Sequence, residues 1–369
     1  MRRETPDLLV VGAGIFGLSV AWAAKRRGMR VLVLEAERVG AGASGGIVGA
    51  LTPHAPSRWR PMMAFQFNAL LALEAHAEAL EAAAGLAVGY ARSGRLTPLV
   101  SEKARAGAER DVAAAPETWG GRAAYRIVEE VPAEVAGWIR PEAAPFGLVQ
   151  DTVSARIDPR AYLRALAQAL DGDIRVGMPV EEIDAVTGTL RAPGGEFSAP
   201  KVVLAAGWQV WPLARQVAGV GEGQPVKGQS ALFDARAEHL PVIYQDGLYI
   251  IPHAGGRVAV GSTSEKAFDD PLGTDEQLDA VIARARAMCP ALEGAEVVER
   301  WAGLRPKPPG REPVVGPLSD DGRFWIAAGG FKISFGIAHA VAEAMVDGIT
   351  GSEPSLPLPE SFAPDRNII

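Results

Sequence analysis

A strand, a glycine-rich turn, a helix and a second strand follow one another near the amino terminus, and this order restricts the fold more than any other feature. Apolar runs lie at 8–11 and 31–34. Three glycines at GxGxxG spacing follow the first run: Gly12, Gly14 and Gly17. Such glycines permit a tight turn, close approach of a pyrophosphate to the backbone, and close packing of helix against strand. The sequence therefore predicts a βαβ unit that binds a dinucleotide.

The residues beside these glycines predict how the dinucleotide is held. The helix starts near Ile15 and Phe16, where its free N–H groups attract phosphate. Glu35, followed by Ala36, ends the second strand and can accept both ribose hydroxyls. Its charge would repel a 2′-phosphate, so adenosine without that phosphate is favoured. A second GxGxxG match at 40–45 follows no long strand and predicts no second site.

Length, charge and cysteine content exclude several classes of protein. A chain of 369 residues is long enough for about two domains. The net charge of −7 and the lack of a long basic run argue against nucleic-acid binding. No apolar stretch is long enough to span a membrane. The one cysteine, Cys289, excludes an internal disulfide and a thiolate metal site, and fits a cytoplasmic protein. No His, Asp or Glu spacing predicts a metal site.

Periodicity and turn residues predict the remaining elements. Helices are expected at 62–83, 101–115, 158–170, 274–288 and 335–349. Strands are expected at 88–94, 96–100, 201–207, 225–233, 248–253, 257–263, 296–304 and 324–328. The segment 116–145 is left unassigned, and the proline-rich tail from Ser352 is expected to be a loose extension. This order predicts a nucleotide domain that a second, mixed domain interrupts twice. The predicted segments are 1–84, 146–223 and 297–369 for the first domain, and 85–145 and 224–296 for the second.

A series of motifs in fixed order carries a family resemblance. These are GAGIFG, GASGG, VVLAAG, PVKGQ, LYIIP, VGST, WAGLRP and AAGGFK. The chain thereby resembles the D-amino-acid oxidase (DAO) superfamily, and most of all glycine oxidases, sarcosine oxidases and related amine oxidases and dehydrogenases. The resemblance implies an α/β fold with a Rossmann-like FAD-binding domain and a mixed α+β substrate domain on an antiparallel sheet. This is the glutathione-reductase or p-hydroxybenzoate-hydroxylase type of FAD fold.

The same resemblance implies FAD rather than NAD, and assigns further residues to the cofactor. FAD is expected to be non-covalent, because the cysteine that bonds flavin in sarcosine oxidases is absent and prolines occupy that region. The loop after the second strand is expected to reach the pyrophosphate and flavin edge through Ala43, Ser44, Gly45 and Gly46. The other implied cofactor contacts are Val180, Ala206, Gly207, Gly303, Gly330, Phe331, Lys332, Ile333 and Ser334.

Three residues are expected at the substrate. Arg305 in WAGLRP matches the arginine that binds the substrate carboxylate, and Tyr249 in LYIIP matches a tyrosine near the same carboxylate. Lys332 departs from glycine oxidases, which carry a histidine and an arginine in this loop, and resembles the sarcosine-oxidase branch. It is a second carboxylate partner, a charge at the flavin edge, or a solvated lysine. The roles of His54 and His253 stay open.

The resemblance implies an enzyme that oxidises a small carboxylate-bearing amine. Hydride would pass from Cα to flavin N5, and the imine would hydrolyse; this step depends on positioning more than on a base. Oxygen, a quinone or another acceptor would reoxidise the flavin, and a homo-oligomer is possible. Three alternatives are a 2-hydroxy-acid dehydrogenase of the same superfamily, an FAD-dependent tRNA-modification oxidase and a non-catalytic FAD-binding subunit.

Overall fold

The structure, a computed structural model, describes residues 5–219, 221–310 and 312–364. The outer ends of the first and last predicted domain segments, 1–4 and 365–369, lie outside these residues. The described helices of nine or more residues are α1 (Ile15–Arg26), α2 (Pro61–Ala84), α3 (Glu102–Trp119), α4 (Pro159–Ala169), α5 (Val210–Ala218), α6 (Glu276–Met288) and α7 (Ser334–Thr350).

The described strands form two large sheets and two small ones. In chain order they are β1 (Leu8–Val11), β2 (Val31–Leu34), β3 (Ala50–Leu51), β4 (Arg95–Pro98), β5 (Tyr125–Val128), β6 (Leu148–Asp151), β7 (Ala155–Arg156), β8 (Ile174–Arg175), β9 (Glu182–Asp184), β10 (Thr189–Ala192), β11 (Gly195–Ser198), β12 (Lys201–Leu204), β13 (Gln224–Asp234), β14 (Val242–Gln245), β15 (Leu248–His253), β16 (Arg257–Gly261), β17 (Val297–Lys307), β18 (Val314–Pro317) and β19 (Phe324–Ala328).

A six-stranded sheet with the order β18-β19-β12-β1-β2-β8 contains the predicted βαβ unit. Its strands are parallel except for β18, which pairs antiparallel with β19. The strands are apolar because both faces are covered. Helices α1, α2, α4 and α7 share one core with this sheet, and α5 with the small sheet β9–β11 covers the other side. The carboxyl ends of β1, β2 and β12 therefore meet at one edge.

An eight-stranded sheet with the order β17-β13-β16-β15-β14-β4-β6-β5 forms the second layer. It is antiparallel except where β14 pairs with β4. Helix α6 packs on one face, and Cys289 is fully buried there. On the opposite face, Val48 and Ala50 pack against the strands; they belong to the segment 36–56 after β2, called the glycine-rich loop below. The predicted fold class, a Rossmann-like layer joined to a mixed layer with a mainly antiparallel sheet, is confirmed.

Three local predictions were wrong. The segment 88–94 is no strand and makes a single bridge, Ala91 with Arg156. Helix α3 continues four residues past 115 despite Pro116, because buried Trp119 stacks on Phe67 at 4.9 Å. The tail after Ser352 is no loose extension in its described part, since fully buried Phe362 packs into the main core.

The domain division stays a prediction, and strand pairing favours different boundaries. The predicted first domain included 146–151 and 297–307, but β6 and β17 pair within the eight-stranded sheet. A strand belongs to the sheet with which it forms backbone hydrogen bonds, and the position of an apolar run in the sequence does not show which sheet that is. We therefore propose that the second domain extends to about residue 151 in its first segment and to Lys307 in its second.

Candidate active site

The turn after β1 is tight because two glycines leave no room for side chains. Gly12 has φ 104°, and a Cβ there would lie 2.5 Å from the Ala205 carbonyl oxygen. A Cβ on Gly17 would lie 1.9 Å from the Gly12 oxygen. The end of β12, with Ala206 and Gly207, thus lies beside the turn. Each glycine is required by a close backbone contact, as the GxGxxG spacing predicted.

Glu35 lies at the carboxyl end of β2, where the sequence predicted a ribose ligand. Its Oε2 accepts the Ala13 N–H at 2.7 Å, and its Oε1 accepts the Glu37 N–H at 2.9 Å. A carboxylate oxygen has two lone pairs, so each oxygen can accept a further hydrogen bond. The Met178 N–H donates to the Glu35 carbonyl at 2.8 Å, which brings the segment with Val180 to the same strand end.

The loop 43–46 folds back on the start of α1. Ser44 Oγ accepts the Ile15 N–H at 3.0 Å and keeps its own proton for another acceptor. Gly46 lies against Trp301, since a Cβ there would be 3.2 Å from the indole ring. The loop therefore places a hydroxyl and small residues, among them Ala43 and Gly45, next to the free N–H groups of a helix.

The starts of α1 and α7 also meet. A Cβ on Gly330 would lie 2.5 Å from Ser334 Oγ and 2.8 Å from the Phe16 ring, and Ile333 precedes the first residue of α7. Both helices present their positive ends here. The closely packed glycines, the free hydroxyl, the carboxylate at a strand end and two helix N-termini fit an adenine dinucleotide with a pyrophosphate.

Arg305 and Tyr249 share one face of the eight-stranded sheet. Arg305 pairs with Val226, Ser230 pairs with Gly261, and Gly261 pairs with Tyr249. Direct partners across an antiparallel pair lie on the same face, and so do residues two or four apart on a strand. This is the face opposite α6, on the side of the glycine-rich loop.

The Arg305 guanidinium is held by neutral oxygen atoms. Its Nη2 donates to the Lys227 carbonyl at 3.3 Å and to the Thr263 carbonyl, and its Nη1 donates to Ser262 Oγ at 3.4 Å. The side chain lies over Gly228, whose Cβ would be 1.9 Å from Nη2. Burial lowers the pKa of Arg305 to about 10, although the Glu265 carboxylate opposes this effect. The guanidinium is therefore charged at neutral pH.

The Phe331 ring lies near two cations. Its ring centroid is 5.6 Å from Arg305 Cζ and 5.7 Å from Lys332 Nζ, both within cation–π range. Phe331 has φ 45°, a conformation that costs a bulky residue about 1–3 kcal/mol. Desolvation and the charge of Arg305 both lower the pKa of Lys332. The structure thus brings Arg305, Phe331 and Lys332 together.

Tyr249 belongs to a row of polar side chains. Its hydroxyl hydrogen-bonds Thr52 Oγ1 at 3.1 Å, and its ring lies 4.6 Å from that of Tyr244. Arg95 Cζ lies 5.8 Å from the Tyr244 ring, and its Nε is 2.8 Å from the buried carboxylate of Asp151. Burial raises the pKa of Tyr249, which keeps the phenol protonated.

Each of the two histidines whose roles were open uses one ring nitrogen in a hydrogen bond to a neighbouring residue. His253 is buried, and its Nε2 lies 2.9 Å from the Ile47 carbonyl, so it connects the glycine-rich loop to β15. His54 Nδ1 bonds Gln66 Oε1, and Gln66 Nε2 donates to the Thr52 carbonyl at 3.0 Å. Burial lowers the pKa of both imidazoles.

Sequence reasoning missed the residues that hold Arg305 and Tyr249: Thr52, Lys227, Gly228, Ser262 and Thr263. Their residue types are ordinary, and only the strand register places them at the guanidinium or the phenol. The motif PVKGQ could have indicated Gly228, since a glycine inside a strand marks close approach of another group. Lys227, Ser262 and Thr263 lie in the motifs PVKGQ and VGST, but nothing in those motifs indicated that they contact the guanidinium, and Thr52 carried no signal.

The described residues contain neither a cluster of metal-ligating side chains nor a helix able to cross a membrane. The side chains gathered around Arg305 are one guanidinium, one ammonium and tyrosines, together with backbone groups. Such a set can hold an organic anion and a dinucleotide.

Comparisons with known proteins agree with this geometry. The DAO profile, described as FAD dependent oxidoreductase, matches residues 7–344. The glycine oxidase of Pseudomonas aeruginosa is 30% identical over 376 residues, 97% of this chain and 98% of that protein. For the glycine oxidase of Pseudomonas putida, 36% identity extends over 190 residues, so the match spans about half of each protein (51% and 52%).

The crystal structure of glycine oxidase from Geobacillus kaustophilus has the same fold, with a TM-score of 0.89, 23% identity and full coverage of both chains. The resemblance read from the motifs is therefore confirmed, and so is FAD as the cofactor. The chain belongs to the DAO family of FAD dependent oxidoreductases.

Proposed function

We propose that this enzyme oxidises a small carboxylate-bearing amino acid or secondary amine, of the glycine, sarcosine or D-amino-acid type, with FAD. The observation that carries this proposal is the buried guanidinium of Arg305, held by neutral atoms on the face that carries Tyr249. Its three hydrogen bonds leave at least two of its five N–H groups for an anion. A substrate carboxylate is the anion that such an enzyme needs to orient.

The main contribution of this chain to the reaction is substrate orientation by Arg305. It binds the carboxylate and thereby fixes the direction of the Cα–H bond. Bound FAD supplies the two-electron acceptor for that bond. Phe331 covers one side of the guanidinium, and a water-poor surface there strengthens the charged hydrogen bonds to the substrate. The reaction therefore rests on positioning and desolvation.

Lys332 and Tyr249 are proposed as further substrate contacts. Lys332 adds a second positive charge beside the same phenyl ring, which supports a role as second carboxylate partner. Tyr249 stays protonated and is oriented by Thr52, so its hydroxyl can donate to a carboxylate oxygen. Both contacts favour a substrate with one small acidic group.

The glycine-rich turn, Glu35 and the loop 43–46 are proposed to hold the adenosine and pyrophosphate, with Val180 near the adenine. Gly303 and the segment 330–334 are proposed to border the flavin ring, with the start of α7 at its edge. Cys289 supports non-covalent binding, because it is buried on the α6 face of the sheet, away from these residues.

An amine donor is favoured over a 2-hydroxy acid. Removing a hydroxyl proton requires a base, and a histidine is the usual choice. Each of His54 and His253 uses one ring nitrogen for Gln66 or Ile47, and among the described residues neither is hydrogen-bonded to Arg305, Tyr249 or Lys332, the proposed substrate contacts. The acceptor (oxygen, a quinone or another oxidant), a homo-oligomeric state and a cytoplasmic location stay predictions.

The test is anaerobic bleaching of the bound flavin. Glycine, sarcosine, D-amino acids and 2-hydroxy acids are mixed separately with the yellow protein, and absorbance loss is followed. We expect bleaching by amines and not by hydroxy acids. Arg305→Ala should keep FAD and lose about 10- to 150-fold in substrate affinity, the cost of one or more charged hydrogen bonds. Unchanged affinity in that variant would remove Arg305 from the site.

A further inference from the structure

The acceptors that hold Arg305 share one property, which is that none carries a charge. Nη2 donates to the main-chain carbonyls of Lys227 and Thr263, and Nη1 donates to a serine hydroxyl. A carboxylate in direct contact would compete with the substrate for the guanidinium. Carbonyl oxygens fix its orientation and leave its charge free for an incoming anion.

Thr263 is itself fixed at three points. Its N–H donates to the Gln229 carbonyl at 3.3 Å, its Oγ1 accepts the Gln229 N–H at 2.8 Å, and its hydroxyl donates to Glu265 Oε1. The residue follows the end of β16, in a segment that still exchanges main-chain hydrogen bonds with β13. The hydroxyl therefore adds two side-chain hydrogen bonds, to Gln229 and Glu265, to the main-chain bonds that hold this segment.

A buried cluster extends this arrangement. Gln229 Nε2 donates to Glu265 at 3.0 Å and to Asp275 at 2.7 Å, and Lys227 Nζ lies 3.4 Å from Asp275. Main-chain bonds of 2.9 Å run both ways between Lys227 and Glu265. Gln229 is fully buried and Lys227 nearly so. Both carbonyls that hold the guanidinium thus come from residues anchored in one polar cluster.

We propose that Thr263 is a positioning residue for Arg305: its hydroxyl, tied to Gln229 and Glu265, holds its carbonyl where the guanidinium must rest to receive a substrate carboxylate. This inference rests on the proposed role of Arg305. It assigns the cluster behind the guanidinium to substrate binding, because a loosened carbonyl would let the guanidinium turn away from the substrate.

The test compares Thr263→Ser, which keeps the hydroxyl, with Thr263→Cys, which differs from serine only by sulfur in place of oxygen. Thr263→Val removes the hydroxyl with little change of shape. The probe is acetate, a carboxylate without an amine, and its Kd is read from the change in the flavin spectrum. We expect a Kd within about 2-fold of wild type for serine, about 3-fold higher for cysteine and about 10-fold higher for valine.

Thr350→Val is the matched control. It removes a hydroxyl that donates to the Val346 carbonyl at 2.9 Å at the end of α7. This variant should leave the Kd for acetate unchanged. If the valine variant does not fold, the serine and cysteine pair decides the question on its own.

An acetate Kd that is equal in the serine, cysteine and valine variants, with FAD bound, would overturn the proposal and leave a purely structural role. Arg305→Ala distinguishes failure of this inference from failure of the proposed function. If it weakens acetate and the Thr263 series does not, only this inference fails. If Arg305→Ala itself leaves acetate binding unchanged, the proposed function fails with it.

Discussion

Replacing Gly228 by alanine tests the Arg305 site at its narrowest point. A Cβ at this position would lie 1.9 Å from Nη2 and 2.5 Å from Cζ of the guanidinium. The backbone of Gly228 is not in the left-handed region, so alanine fits the strand without dihedral strain. The added methyl group therefore acts on one side chain, and that side chain must move.

The size of the effect follows from the displacement. An ordinary contact needs about 3.4 Å or more, so Nη2 must shift by about 1.5 Å. A hydrogen bond of about 2.9 Å does not survive such a shift. Loss of one charged hydrogen bond to the substrate costs about 1.5–3 kcal/mol, which lowers kcat/KM about 10- to 150-fold.

The assay is anaerobic stopped-flow reduction of the bound flavin at several glycine or sarcosine concentrations. The flavin spectrum before mixing shows whether FAD is retained, and we expect full retention. Gly107→Ala on α3 is the control, since the nearest atom to its Cβ would be Arg110 Nη2 at 3.8 Å. It should leave kinetics unchanged and stabilise the helix by up to about 1 kcal/mol. Unaltered substrate affinity in Gly228→Ala would refute the proposed position of the guanidinium.

Ser44→Ala should raise the Kd for FAD about 5- to 30-fold, because Ile15 N–H loses its acceptor and a phosphate loses a donor; titration of apoprotein measures this. Lys332→Met should raise the acetate Kd about 5-fold if the ammonium binds carboxylate, and an unchanged Kd would indicate a solvated lysine. Burial lowers the pKa of His339 from 6.5 to about 4, so the unfolded chain takes up a proton at higher pH than the folded protein does. Between pH 6.5 and about pH 4, this group should therefore lower the free energy of unfolding of the wild type by about 1.4 kcal/mol per pH unit. In urea unfolding, the free energy of unfolding of His339→Leu should fall less between pH 7 and pH 5 than that of the wild type. An equal fall in both proteins would contradict the lowered pKa of His339.

The amino-terminal unit could be predicted from sequence because its information is local. Gly12 and Gly17 are required because the backbone of the turn and of the adjacent strand leaves no room for a Cβ there. Helix α4 could be predicted equally well, because Asp158 is its N-cap and Pro159 is its first residue. In each case the residues that set the structure lie within a few positions of the element.

The environment of Arg305 could not be predicted, because it depends on strand register. Lys227 and Thr263 lie 78 and 42 positions away in sequence and reach the guanidinium through their main chains. A carbonyl contact leaves no signature in residue type. The error at 88–94 has the same origin, since its apolar residues pack against other elements without forming a ladder.

The order of strands in the six-stranded sheet has a consequence for biosynthesis. Strand β1 is central, and its partner β12 appears about 190 residues later, roughly 10–40 s at ordinary translation rates. Until then one edge of an apolar strand stays unpaired, and the start of α7, which we propose borders the flavin, emerges later still. Ribosome-bound fragments that end before residue 201 should therefore need chaperone protection and should be unable to retain flavin.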